Sequence, residues 1–213
     1  MPTSSEQEKL DLLSLIESNN PQDHLAISNL LSRDPTLART TFRDTDNRCI
    51  NSILYYAAQS GNIRACEMLL DNNAMVLSGS KPAIFGAIDS GNSEIVHLMI
   101  KKDATCVNAR PHKLGFNSPL HVAAQVGSAE ICKLLIQNGA LHYLNQEGKS
   151  PIDYASSEIR EVFNVINEEE EIQQQDDLEE TPLIATEEER SASPILAPQS
   201  SRTLFGSFKG ASK

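Results

Sequence analysis

The residues in this sequence that could most readily take part in catalysis are His121 and Cys132. A nucleophilic Cys–His pair needs an exposed thiolate and an imidazole within hydrogen-bonding distance of it. No third group at a regular spacing accompanies them to orient the imidazole. The other cysteines and histidines form none of the short spacings typical of metal sites, such as C-x-x-C. Whether the pair can do chemistry therefore depends on the elements that hold it.

Composition limits the classes of function. The formal net charge of −11 argues against a protein that binds nucleic acid through the phosphate backbone. No apolar run is long enough to span a membrane, and the first residues lack the pattern of a secretory signal. Four cysteines without regular spacing, in a chain with enough apolar residues for a core, favour a reducing compartment. We therefore expect a protein of the cytosol or nucleus.

The clearest pattern lies over 117–140, read as NSPLHVAAQVGSAEICKLLIQNGA. Pro119 suits the first turn of a helix, where a missing N–H costs nothing. Gly127 and Gly139 can adopt the left-handed conformation that ends a helix. The pattern predicts a helix, a tight turn, a second helix and a stop. Neither helix is long enough to be stable alone in water, so the pair must stack against something similar.

Two weaker copies precede this segment. Residues 52–74 read SILYYAAQSGNIRACEMLLDNNA, and residues 82–104 read PAIFGAIDSGNSEIVHLMIKKDA. When the copies are aligned, Gly61, Gly91 and Gly127 fall in register. Because each unit cannot bury its apolar face alone, we expect stacked repeats that share one continuous core.

The aligned pattern resembles the ankyrin repeat. The family's T-P-L-H signature appears as Ser118-Pro119-Leu120-His121 and half-returns as Ser150-Pro151-Ile152-Asp153. Val107-Asn108-Ala109 matches the connector that follows the second helix of a repeat. The resemblance implies an all-α ankyrin-repeat solenoid of helix-turn-helix units with short hairpin-like connectors. The repeats it implies are 48–77, 81–110 and 114–146, with a closing repeat at 148–166.

The resemblance also assigns the two reactive residues to the scaffold. His121 corresponds to the signature histidine, which in the family makes structural hydrogen bonds between neighbouring loops. Cys132 falls on the apolar face of a second helix, in register with Cys66 and Val96. We therefore expect a protein that is not an enzyme, with no catalytic residue, metal site or cofactor.

Residues 1–47 match no signature of the family, but they carry two amphipathic segments separated by Asn19-Asn20-Pro21. Asp23 is placed to cap the second segment, and Asp34-Pro35 to end it. We interpret this region as a degenerate N-terminal helical repeat or cap. In the closing repeat, Ser157 is the expected N-cap of the second helix.

Composition changes abruptly in 167–213, which holds eleven acidic residues against four basic ones. Such a segment has little to bury and predicts a disordered acidic tail. Ser193, in RSASP, is a candidate phosphorylation site. Residues 201–213, SRTLFGSFKGASK, reverse the charge around three large apolar residues and form a candidate linear motif for a second partner. A fold-back of the acidic tail onto Arg110 and Lys113 is a further hypothesis.

In the ankyrin family, partners dock against the connector tips and the exposed ends of the first helices. By position, the candidate partner-binding residues at the helix ends are Gln59, Ser60, Asp89, Ser90, Gln125 and Val126, and those at the tips are Ser78, Ser80, Arg110, His112, Lys113, Phe116, Gln146 and Glu147. The middle connector, RPHKLGF at 110–116, combines the basic and aromatic side chains that are enriched in binding hot spots. Alternatively, Phe116 or Leu114 packs against the next repeat.

The resemblance therefore predicts a non-enzymatic protein–protein interaction module, an adaptor, scaffold or inhibitor that binds a partner protein through a concave face. We expect a monomer without a nucleic-acid partner. One alternative is a translocated bacterial effector that acts on proteins in the host cytosol, since the glutamates Glu187–Glu189 resemble a secretion signal. A second alternative is a small enzyme with a site at Cys132 and His121.

Overall fold

The computed structural model describes residues 4–43 and 49–163. The described residues all lie in one compact unit. The predicted tail, with Ser193 and the motif at 201–213, lies outside the described residues. The secondary-structure elements, in chain order, are α1 (Ser4–Glu17), α2 (His24–Arg33), β1 (Thr41–Arg43), β2 (Ile50–Ser52), α3 (Ile53–Gln59), α4 (Ile63–Asp71), α5 (Ala83–Asp89), α6 (Ser93–Lys102), α7 (Pro119–Val126), α8 (Ala129–Gln137), α9 (Pro151–Tyr154) and α10 (157–163).

The helices form stacked pairs, which confirms the predicted helical solenoid. Each predicted repeat holds one pair, with α3, α5, α7 and α9 as the first helices and α4, α6, α8 and α10 as the second. First helices contact first helices from repeat to repeat, and among α4, α6 and α8 second helices contact second helices. The pair α1–α2 extends both layers, because α1 contacts α3 and α2 contacts α4. Among the described helices, none is long and apolar enough to cross a membrane.

The core runs through the stack as one apolar cluster. Cys66, Val96 and Cys132 are fully buried at equivalent positions of the second helices, as the register predicts. Gly86 in α5 lies directly against the backbone of α3. A Cβ atom there would lie 2.6 Å from the backbone oxygen of Tyr55 in α3. Only glycine therefore fits at this crossing without displacing a helix backbone.

The helices begin and end at the residue types that favour helix ends. Pro119 occupies the first turn of α7, and Gly127 ends that helix in the left-handed region with φ of 86°. The second helices α4, α6 and α8 begin at polar N-caps whose side chains accept a backbone N–H, namely Asn62, Asn92 and Ser128.

The two predicted caps have different outcomes. Asp23 occupies the N-cap position of α2, as predicted, but its carboxylate accepts the hydroxyl of Ser18 at 2.6 Å and makes no cap hydrogen bond. In the closing repeat, the cap of α10 is Ser156 and not Ser157, because the Ser156 hydroxyl accepts the backbone N–H of Ile159 at 3.4 Å. An N-cap serine bonds the N–H three residues later, and Ser157 already belongs to the helix.

The predicted hairpin-like connectors include one with two short β-strands, which the all-α prediction did not specify. Strand β1 pairs antiparallel with β2, with Phe42 opposite Asn51. On the other edge of β2, the Ser80 N–H donates to the Ile50 carbonyl at 2.6 Å, and the Ser80 hydroxyl accepts the Ile50 N–H at 3.0 Å. Extended connectors must satisfy their backbone groups, and neighbouring connectors supply the partners here.

Candidate partner-binding surface

His121 is a structural link between α7 and the following connector. Its Nδ1 accepts the backbone N–H of Ser118 at 3.1 Å, so Nε2 carries the proton and donates to the Lys149 carbonyl at 3.1 Å. The ring is buried, and burial lowers its pKa. The predicted hydrogen bond between neighbouring loops is therefore present.

Cys132 lies in the apolar core, where its thiol has no access to solvent. Its thiol is fully buried, and burial raises its pKa to about 12, which keeps the sulfur protonated at neutral pH. Both ring nitrogens of His121 already bond to Ser118 and Lys149. Within the described ranges, no three His, Cys, Asp or Glu residues are grouped so as to hold a metal ion.

Three of the predicted residues lie at equivalent positions near the C-terminal ends of the first helices, and all three are exposed: Gln59, Asp89 and Gln125. Partial burial raises the pKa of the Asp89 carboxyl, and the charge of Lys81 acts in the opposite direction. One residue beyond Gln125, Val126 leaves 47% of its surface exposed.

The serines at the first-helix ends bond internally. The hydroxyl of Ser60 donates to the Ala57 carbonyl, and that of Ser90 to the Ala87 carbonyl. At the first tip, Ser80 is engaged by β2 through its hydroxyl, and Ser78 is half-buried. These four serines therefore lie where they were predicted, while three of their hydroxyls already have partners within the fold.

Arg110 organises the middle connector. Its guanidinium donates from Nη2 to the Leu144 carbonyl at 2.7 Å and lies 4.6 Å from the ring centroid of Tyr143. The same group lies 5.8 Å from the ring centroid of Phe116. His112 adds an edge-to-face contact with Phe116, at 5.3 Å between centroids. The connector is thus fixed to its neighbour by charge-assisted and aromatic contacts.

The two packing alternatives for this connector have different outcomes for Leu114 and Phe116. Leu114 is partly buried against the core. Phe116 keeps 36% of its surface exposed and holds a positive φ of 60°, which a side chain of this size rarely adopts. The strained backbone presents the ring at the surface, where it contacts only the connector residues Arg110 and His112 among the ring contacts described.

The last connector is ordered around Asn145. The side-chain oxygen of Asn145 accepts the N–H groups of Glu147 and Lys149, at 2.9 and 3.0 Å. Gln146 donates its backbone N–H to the Gly115 carbonyl at 2.9 Å, which joins this tip to the middle one. The Glu147 carboxylate bonds to Lys149 at 2.9 Å, and this contact lowers the pKa of Glu147.

Sequence reasoning missed several exposed apolar residues of the connectors. Leu144 is 58% exposed and Leu77 is 41% exposed. Met75 and Leu141 are also exposed, and each directly follows the alanine that closes a repeat, Ala74 or Ala140 in the sequence. For Met75 and Leu141, the position in the repeat was the signal that could have predicted exposure, because a residue just outside the helix pair lies on the connector.

Stacked helix pairs, buried second-helix faces and connectors that fix exposed side chains define a helical-repeat solenoid protein. Residues 84–176 match the family model described as ankyrin repeats, in three copies. This part of the chain therefore contains ankyrin repeats.

Two proteins are similar in sequence to part of this chain. Alpha-latrotoxin-Lh1a of Latrodectus hasselti is 27% identical over 147 residues, which cover 65% of this chain and 10% of the toxin. A transient receptor potential cation channel subfamily A member 1 homolog of Caenorhabditis elegans is 32% identical over 109 residues, 49% of this chain and 9% of the channel. The chain thus spans about a tenth of the length of these relatives.

Proposed function

We propose that this protein is a non-enzymatic interaction module, an adaptor, scaffold or inhibitor that binds a partner protein through its connector tips and first-helix ends. Ankyrin repeats generally mediate protein–protein interactions. The observation that carries the proposal is that Phe116 and Leu144 are both exposed and that Arg110 contacts both, with its guanidinium bonded to the Leu144 backbone carbonyl and 5.8 Å from the Phe116 ring centroid. A connector whose backbone is fixed before binding loses little conformational entropy when a partner covers it.

We also propose that Cys132 has no catalytic role. A buried thiol with a pKa of about 12 is a poor nucleophile, and His121 uses both nitrogens in the scaffold. The four cysteines are free, which supports placement in a reducing compartment such as the cytosol or nucleus.

Quantitative affinity purification with the full chain tests the proposal. Leu144→Asp places a charge in the exposed cluster and should reduce recovery of the specific partner about tenfold, because a hot-spot contact is replaced by a desolvated carboxylate. Leu25→Asp is the matched control, since Leu25 is 72% exposed on α2, away from the connectors. Recovery of the same proteins by the wild type and both variants would contradict the proposal, as would recovery of none by the wild type.

A further inference from the structure

Resting on the proposed function, we propose that the partner element bound at the connectors is an acidic protein segment with an apolar anchor residue. The tip surface is defined here as the connectors 75–82, 104–118 and 140–150. This surface carries positive charge and exposed apolar groups side by side, although the chain as a whole has a net charge of −11.

The charge of the tip surface is the first observation. Its basic residues outnumber its acidic residue, Glu147, and that carboxylate is already paired with Lys149 at 2.9 Å. The basic residues that remain are Lys81, Arg110 and Lys113. The tip surface is therefore basic.

Among the described residues, the charge of Lys81 acts partly on the Asp89 carboxylate, so Arg110 and Lys113 supply most of the positive charge that is left for a partner. None of the three forms a salt bridge with a described carboxylate. Arg110 bonds to neutral backbone carbonyls, and the Lys81 ammonium lies 5.9 Å from the ring centroid of Tyr55. Contacts of these kinds position a cation without cancelling its charge, so the field is available to a carboxylate of a partner.

The apolar groups are the second observation. Leu77, Phe116 and Leu144 are exposed on the same connectors, and the Arg110 guanidinium bonds to Leu144 while lying near Phe116. An apolar anchor of a partner can cover Phe116 and Leu144 while adjacent carboxylates meet Arg110 and Lys113. One short segment would thus use both properties of the surface.

A protein segment fits this surface better than a nucleic acid. A phosphodiester backbone would gain from the cations but would leave the exposed leucines without an apolar partner. The large negative charge of the whole chain also repels a long polyanion, whereas a short acidic segment meets mainly the local field.

A random peptide library displayed on phage and selected on the full-length chain tests the proposal. The enriched peptides should be acidic and should contain leucine or an aromatic residue. In fluorescence anisotropy with an enriched peptide, Lys113→Glu should weaken binding about fivefold, and Leu144→Ala about tenfold. Added salt should weaken binding to the wild type, because part of the attraction is between charges.

Each control variant makes the same kind of substitution as a test variant, but at a position outside the tip surface. Lys133→Glu reverses an exposed lysine on α8, and Leu25→Ala removes an exposed leucine on α2, so neither should change binding. Circular dichroism of each variant verifies the fold. If the enriched peptides are basic or uncharged, this inference is overturned while the proposed function stands. The same holds if the control variants weaken peptide binding as much as the test variants do. Tighter binding of a single-stranded RNA than of any peptide, lost with Lys113→Glu, also overturns it.

Discussion

At the scale of single residues, His121 shows how a residue type that suggests chemistry serves the scaffold. The ring is held in one tautomer by the Ser118 N–H and donates to the Lys149 carbonyl of the next connector. Burial lowers its pKa, so the folded protein keeps it neutral where the unfolded chain begins to protonate it. This difference makes folding stability depend on pH.

The first prediction is a loss of stability on mild acidification. Below about pH 6.5 the unfolded chain binds a proton at this residue that the folded chain does not, so the free energy of unfolding falls as pH falls. The slope contributed by His121 is at most about 1.4 kcal/mol per pH unit. Urea unfolding at several values between pH 7.5 and about 5.5 should therefore show a smaller slope for His121→Gln than for the wild type.

The matched control is His97→Gln, which changes an exposed histidine on α6. It should keep the slope of the wild type. Equal slopes for the wild type and His121→Gln would show that the ring is not held neutral by the fold.

At the scale of elements, the contact between α3 and α5 depends on Gly86. Alanine in place of a helical glycine usually stabilises a protein by about 0.5–1 kcal/mol. Here the added Cβ would meet the Tyr55 oxygen at 2.6 Å and the Gln59 nitrogen at 3.2 Å, both of them backbone atoms. Backbone atoms of a packed helix cannot rotate away, so the first helices must separate.

We therefore predict that Gly86→Ala destabilises the protein by about 1–3 kcal/mol, seen as a lower urea midpoint. Gly127→Ala is the comparison, because no atom lies within 4 Å of its added Cβ and only its φ of 86° opposes the change. That variant should lose about 1 kcal/mol. A midpoint for Gly86→Ala equal to or above that of the wild type would refute the close packing of α3 and α5.

At the scale of the whole molecule, periodicity made the stack predictable. Pro119 and Gly127 mark helix ends because their residue types favour the backbone conformations needed there, so the helix pairs followed from the sequence. The buried place of Cys132 followed from its register with Cys66. Local chemistry also predicted a cap near Ser157, with an error of one residue.

The candidate surface was less predictable because it depends on contacts between distant residues. Arg110 reaches the carbonyl of Leu144 across 34 positions, and no local pattern indicates that bond. The contact of Ser80 with Ile50 likewise joins two connectors that are 30 positions apart in the sequence. Positions in the repeat indicated Phe116 as a tip residue, but the exposure of Leu77 and Leu144 required the packed structure.

Site-specific photo-crosslinking tests the central claim, that the connector tips and first-helix ends hold the partner. Benzoylphenylalanine would replace Phe116 or Gln125 in the full chain, with Lys101 and Lys133, exposed on the second helices α6 and α8, as matched controls. We predict that one protein adduct forms at both Phe116 and Gln125 and is absent from the two control positions. The same adduct formed mainly at Lys101 or Lys133 would place the partner on the second helices and contradict the account.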